Sequence, residues 1–407
     1  MPGAPLPRIE PAELAARRAA AARAAEERGL AGLVVFSRGG TAADFHGDVL
    51  YLSGFHSNMA VLPDAPGVWS ARGHAAIVLP VDGPAVLLTD YLDDHDGLLA
   101  IDEVRVAVDL PAAIGRELVA LGLAEQPLGL VGREALAHAW HREIEAAAGG
   151  PLDLVAADDL LDDARMVKSP AELDAMRAAA AVGAEWMSTT LRGLTEGRTE
   201  ADAVGDGLAY LAANGGSAYD VAIAGGAKSH HYFGSSGLPH WNATRRLARG
   251  DLVHADVWGP VGGYFTDLAR STVVGGRADD GQRTVLEGAV ALVDHLIAAV
   301  RPGVTCDELA RRGDAWLADN GFAEEPDGDG EQPAYGHSLY GHSLGISTER
   351  PWIVSGEGTA LRADMVIAIE TVVGLPGVGA ANHEQTLIVS DGEPEILTAA
   401  CPSRWWE

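Results

Sequence analysis

A repeat between residues 170 and 321 constrains the fold most. Gly197-Arg198-Thr199-Glu200-Ala201-Asp202 opens one helix that closes on Asn214-Gly215, and Gly303-Val304-Thr305-Cys306-Asp307-Glu308 opens another that closes on Asn320-Gly321. In each copy a Thr is followed three positions later by an acidic residue. That pattern is a capping box, which satisfies two otherwise orphaned backbone N–H groups at a helix start. Each copy runs 17 positions from its first Gly to its closing Asn, and the copies lie 106 residues apart. A longer helical stretch precedes each one, over about 170–193 and 279–300, and strand-like apolar runs follow. Two helix-helix-strand halves predict a pseudo-two-fold domain with its site between the halves. Chance resemblance between two capped helices is the competing explanation, and the matched lengths and order weigh against it.

This domain has a clear beginning. Ser169 as N-cap, Pro170 at the first helical position and Glu172 three residues after the cap form another capping box. Ahead of it, a helix over about 11–28 leads to the strand GLVVF, then to HAAIVL and PAVLLT, with further helical stretches near 111–122 and 133–147. Alternation of this kind indicates a separate α/β domain. The expected division is therefore 1–163 and 164–407.

The repeat frames a set of acidic residues. Asp256 and Asp267 lie in GDLVHADVWGPVGGYFTDLARSTVV, two apolar strands around a Gly-Pro-Val-Gly-Gly turn at 259–263. If the hairpin is centred on Val261 and Gly262, Asp256 faces Asp267 directly, with Cβ atoms about 5 Å apart and like charges repelling. An Asp in a strand is ordinarily a solvated edge residue, and the two alone would read that way. Glu370, however, ends the apolar run ADMVIAIE and Glu384 opens EQTLIV, so both sit at the ends of buried strands, where an unpaired charge is expensive. Arg270 is placed to pair with a carboxylate of the site or with substrate. His342 adds an imidazole. It stands in the second of two near-identical copies in GHSLYGHSLG, and is preferred to His337 because Gly345 follows it and lets the backbone pass close to a metal. Four carboxylates and one imidazole suit two divalent cations, with manganese first and cobalt, zinc or iron as alternatives.

The order Asp, Asp, His, Glu, Glu resembles that of the pita-bread metallopeptidases, family M24. GDVLYLSGF at 47–55 is similar to the amino-terminal domain of the creatinase and prolidase branch, and KSPAELDAMRAAAAVG at 168–183 to the helix that opens its catalytic domain. The resemblance implies an α+β protein: a pita-bread catalytic domain of pseudo-two-fold helix-helix-strand halves, preceded by a creatinase-like α/β domain. It implies that Asp256 binds one metal, that Asp267 and Glu384 bridge both, and that His342 and Glu370 complete the second. Glu370 is then the general base, with Glu384 as the other candidate. His231, in SHHYFG, matches the family histidine near the scissile bond, and His337 becomes a hydrogen-bonding residue of the wall. The implied activity is that of an Xaa-Pro aminopeptidase or dipeptidase acting on a small peptide, in a homodimer.

The chain departs from that pattern at one informative place. Relatives that act on proline peptides carry a second histidine seven residues after the metal histidine, and here that position is Glu349. An ionised carboxylate accepts hydrogen bonds and cannot donate one to a peptide carbonyl. The neighbouring Arg350 is positioned to take over an anion-binding role. Glu370 is likewise followed by Thr371, where many relatives have proline. These departures keep two other classes in view: a creatinase-like or ectoine-hydrolase-like amidohydrolase or lyase acting on a small non-peptide metabolite, and a non-catalytic binding protein. Loss of ligands would mark the last, and none is lost.

Composition narrows the setting. The formal charge of −29 argues against nucleic acid or an anionic membrane as partner. Two cysteines are too few for a disulfide framework, which suits a reducing compartment. The alanine-rich amino-terminal helix carries Arg17, Arg18, Glu26 and Glu27 in place of a signal peptide's apolar core. No apolar run approaches the roughly 20 residues that span a bilayer. The expectation is a cytoplasmic protein.

Overall fold

The structure is a computed structural model, described here over residues 6–38, 47–56, 73–92, 98–230, 239–322 and 339–407. The chain divides into two compact units, one formed by Arg8–Arg165 and the other built on Met166–Glu407.

In the first unit the runs that read as buried strands lie at the middle of a six-stranded sheet. Its elements are α1 (Pro11–Glu27), β1 (Gly32–Ser37), α2 (Gly47–Ser53), β2 (Ala75–Pro80), β3 (Val86–Thr89), β4 (Glu103–Val106), α3 (Leu110–Ala120), β5 (Leu128–Val131), α4 (His138–Ala148), β6 (Leu154–Ala156) and α5 (Asp158–Met166). The strand order is β4-β3-β2-β1-β5-β6. β1, β2 and β3 pair antiparallel, whereas β4, β5 and β6 add in parallel. Val34, Phe36, Val78 and Leu88 pack under α3 and α4 through Ile114, Leu118 and Ile144. Leu33, Val35, Ile77 and Leu87 are equally buried on the other face, beneath α1 and α2. Burial on both faces accounts for continuous apolar strands in place of an alternating pattern.

The second unit is built twice over. Its first half is α6 (Pro170–Gly193), α7 (Glu200–Ala213), β7 (Asp220–Gly225), β8 (Leu252–Val261) and β9 (Tyr264–Val273), with sheet order β7-β8-β9. Its second half is α8 (Asp280–Ile297), α9 (Cys306–Asp319), β10 (Gly341–Leu344), β11 (Thr348–Trp352), β12 (Val366–Leu375), β13 (Gly379–Ile388) and β14 (Glu395–Ile396), with order β11-β10-β12-β13-β14. Thr199 with Asp202 and Thr305 with Glu308 form the two capping boxes that the repeat predicts, and Asn214 and Asn320 close the helices. Both long helices also open in capping boxes, at Ser169 with Glu172 and at Asp279 with Gln282.

In each half the long helix lies behind its sheet. A Cβ on Gly183 of α6 would stand 1.8 Å from Thr266 Oγ1 of β9, so the absence of a side chain there lets helix and strand meet. Val285, Ala289 and Leu292 of α8 pack with Ile367, Ile369 and Leu387 behind β12 and β13. The two sheets meet along β9 and β13 through side chains. Ser271 Oγ donates to Asn382 O and accepts from Asn382 N, each at 2.9 Å, and Thr386 Oγ1 donates to Asp267 O at 2.7 Å.

The β8–β9 register differs from the expected one. Val261 pairs with Tyr264, so the turn is Gly262-Gly263 alone, with φ of 63° and 90°. Two consecutive residues at positive φ make the tight turn whose twist matches that of the strands, and only glycine takes it without strain. Pro260 therefore stays in the strand, opposite Phe265, and the pairing moves by two residues.

Candidate metal centre

With that register Asp256 faces Ala269 and Asp267 faces Trp258. The two aspartates are thus diagonal neighbours rather than a directly opposed pair. They still share a face, since Asp256 and Trp258 are two residues apart on one strand and paired residues point the same way. Asp267 and Arg270 are three residues apart, so Arg270 points to the back. There its guanidinium donates to Glu384 O, and to Ala269 O, Cys401 O and Pro402 O at 2.9–3.0 Å, and to Gln385 Oε1 at 3.0 Å. It touches no site carboxylate side chain in these bonds. What it holds is the backbone of Glu384 and the segment carrying Cys401 and Pro402.

Glu370 and Glu384 are mid-strand rather than terminal, because β12 continues through Thr371–Leu375 and β13 begins at Gly379. They face each other directly. His342 on β10 pairs with Ala368 and so projects from the same face as Glu370. The five residues come together on the front of the two sheets. Ligand atoms of Asp267, His342 and Glu384 lie within 4.8 Å of one another, as do those of Asp256, Glu370 and Glu384. Glu384 belongs to both groups. Glu370 groups with Asp256, yet its Oε1 is also 3.8 Å from His342 Nε2, and His342 Nε2 is 3.7 Å from Asp267 Oδ2.

The electrostatics are those of a cation site. Asp256, Asp267, His342 and Glu384 are each no more than 6% exposed. Burial, followed by the charges of Asp256 and Glu370, holds Asp267 well above the usual carboxylate range. Burial and then the three neighbouring carboxylates do the same to Glu384, against a smaller opposing pull from Arg270. Glu370 is pushed up to about 8 by burial and by Asp256. Burial lowers His342 to about 4, so the imidazole is neutral near pH 7. Its Nδ1 lies 3.0 Å from Ser343 O, and a carbonyl only accepts, so Nδ1 carries the proton and Nε2 offers its lone pair to the carboxylate cluster. Glu384 Oε1 is buried with no hydrogen-bond partner among the described residues. Neutral imidazole, crowded carboxylates and an unmatched acceptor fit divalent cations.

Glu349 and Arg350 lie elsewhere on β11. Glu349 is paired with Lys168, Oε2 to Nζ at 2.9 Å, with side chains 8% and 1% exposed, and its Oε1 accepts from Ile346 N at 3.1 Å. Gly345 makes room for this carboxylate rather than for a metal, as a Cβ there would stand 2.5 Å from Glu349 Oε1. Arg350 points outward and is exposed. His231 and His337 lie outside the described residues.

His240 joins the site from outside the motifs that the sequence makes visible. Its Nδ1 lies 2.5 Å from Asp220 Oδ2. Asp220 pairs with Trp258, which pairs with Asp267, so the three form one row across the front face and His240 stands at its β7 end. No local spacing ties residue 220 to 240; only strand register reveals the pair.

Known proteins agree with this architecture. Residues 174–391, more than half of the chain, match metallopeptidase family M24, and residues 17–167 match the creatinase/prolidase N-terminal domain. The probable dipeptidase PepE of Mycobacterium tuberculosis is 30% identical over 96% of each chain. The Xaa-Pro dipeptidase of Pyrococcus horikoshii is 28% identical over 59% of this chain, a match that spans 65% of that enzyme's length. Among solved structures, dipeptidase PepE from Mycobacterium ulcerans has 28% identity and a TM-score of 0.74, covering 96% of each chain. The Pyrococcus horikoshii prolidase shares the fold at 21% identity and a TM-score of 0.74, covering 94% of this chain and 98% of its own. Fold and site together define a creatinase-type amino-terminal domain followed in the chain by a pita-bread catalytic domain. The chain belongs to metallopeptidase family M24, whose members are hydrolases that use divalent metals. Among the described residues no helix is long and apolar enough to cross a membrane.

Proposed function

We infer that the protein is a dinuclear metal-dependent peptidase of the Xaa-Pro dipeptidase type, cleaving a C–N bond in a short peptide. The observation that carries this reading is the sharing of Glu384 between two three-residue ligand groups. Asp256, Asp267, His342, Glu370 and Glu384 would hold the ions, manganese first and cobalt, zinc or iron as alternatives. When bound, such a pair supplies Lewis acidity and an acidified water. Glu370, beside Asp256 and His342 in the cluster, would take the proton of the attacking water at a carboxylate oxygen and return it to the leaving nitrogen. Glu384 is the second candidate for that transfer. His240, oriented through the contact of its Nδ1 with Asp220, is the candidate donor to the developing oxyanion or the leaving nitrogen. His231 remains a candidate for that role by its motif, and His337 for the wall. The protein acts as a cytoplasmic homodimer on this reading, and the domain division stands near 163.

One observation favours a second reading. Glu349 occupies the place of the histidine that binds proline peptides in relatives, and its charge is engaged by Lys168. A hydrolase or lyase acting on a small non-peptide metabolite is consistent with that change. The two separate on assay of the manganese-loaded protein against Xaa-Pro dipeptides and tripeptides. Turnover supports the peptidase, and no turnover at full metal occupancy sinks it.

A further inference from the structure

The strand that ought to carry the second histidine instead carries a buried ion pair and an open indole. Among the described residues β11 is the edge strand of its sheet and pairs with β10 alone. Its register changes beside the metal histidine: Ser343 faces Glu349 and Leu344 faces Thr348, but His342 faces Trp352. This irregularity sets the Trp352 indole against the His342 ring, with centroids 5.3 Å apart and planes at 64°. Paired residues share a face, so Trp352 lies on the side where His342 meets Asp267 and Glu370.

The indole is open to solvent. Its 39% exposure contrasts with His342 at 5%, and places an apolar surface at the rim of a charged cluster. Its position against the His342 ring, at the mouth of the cluster, puts that apolar surface where a substrate group would lie.

The Lys168–Glu349 pair explains how an edge strand holds such a side chain still. Lys168 lies directly before the α6 N-cap, and its N–H donates to Asp364 O at 3.0 Å. Glu349 receives both its Nζ and the Ile346 N–H, which fixes the 346–349 loop against the body of the domain. Both side chains are withdrawn from solvent, so the pair gives strong geometric constraint.

Building on the peptidase reading, we propose that Trp352 is a specificity-determining residue that contacts an apolar side chain flanking the scissile bond, and that Lys168 and Glu349 are positioning residues that hold it there. Substrate class follows: short peptides with an apolar residue next to the cleaved bond are preferred to their glycine counterparts.

The test uses the full-length manganese-loaded protein and three peptides, Leu-Pro, Gly-Pro and Leu-Gly. In Trp352→Ala the kcat/KM preference for Leu-Pro over Gly-Pro, over Leu-Gly, or over both should fall by roughly ten- to a hundredfold, mainly through KM. Trp352→Phe should recover most of it. The paired replacement of Lys168→Met with Glu349→Leu, which leaves no charge unpaired, should lose the same preference while still binding two manganese ions per chain. A purely structural pair would not move the preference. Unchanged ratios in Trp352→Ala overturn the proposal while the peptidase reading stands. A wild-type protein that cleaves none of the three peptides at full manganese occupancy overturns both.

Discussion

Glu370 and Glu384 face each other across β12 and β13 in the interior of the domain, a direct pairing of two carboxyl side chains. Like charges opposed on a sheet are destabilising, and burial adds to the effect. Nothing in strand propensity favours the arrangement, which makes sense when cations are present to offset it. In the metal-free protein Glu384→Gln should therefore raise the melting temperature by a few degrees. The same variant should lose activity by about 10³-fold or more, because the shared ligand is gone. Calorimetry of metal-free protein checks the first effect and steady-state assay the second.

Stability of the metal-free protein should fall as pH rises. Glu370 titrates near 4.5 when unfolded and near 8 when folded. A raised folded value means that its contribution is fully present below about 4.5 and is lost as pH climbs through about 8. Asp267 and Glu384 are shifted in the same direction and add to the slope. His342, lowered from 6.5 to about 4, works in the opposite sense, its contribution being lost as pH falls below 6.5. Between about pH 6.5 and 8 the carboxylates dominate. Denaturant titrations over that interval should show falling stability without metal and a flatter profile with saturating manganese, whose binding releases protons.

Much of the scaffold is legible in the sequence, because caps and apolar runs are local signals. The Thr199 and Thr305 boxes fix both short helices, and the acidic residues and His342 stand out within otherwise apolar strands. Register is another matter. The Gly-Pro-Val-Gly-Gly segment offers several turn centres, and only the positive φ at Gly262 and Gly263 selects one. Strand length misleads as well, since the apolar run ADMVIAIE reads as a strand ending at Glu370 and β12 in fact runs on to Leu375. Arg270 is read as a site residue because its parity relative to Asp267 depends on both lying in one regular strand. His240 and Lys168 escape notice because their partners, Asp220 and Glu349, are distant in sequence.

Arg270 should prove a residue of position rather than of substrate contact. Its removal leaves the carbonyls of Glu384, Cys401 and Pro402 without their buried donor. At about 1–3 kcal/mol for each unsatisfied buried group, Arg270→Met should destabilise the protein by several kcal/mol. It should also weaken manganese binding, read by isothermal titration, since the Glu384 backbone loses its anchor.

His240 and Asp220 should act as a unit. His240→Ala is expected to lower kcat by about 10²-fold, in the range of losing one oxyanion donor. Asp220→Asn should have a smaller effect in the same direction, with little change in metal content for either. Comparison with His231→Ala distinguishes the two histidines, because only the donor to the reacting centre should depress kcat with KM nearly unchanged.

The most direct test of the account is the number of manganese ions bound per chain, by elemental analysis and titration, in wild type, His342→Ala and Glu384→Ala. Because Glu384 belongs to both ligand groups and His342 to one, the account predicts two ions for wild type, one for His342→Ala, and no tight ion for Glu384→Ala. Two ions retained by Glu384→Ala with wild-type affinity would contradict it.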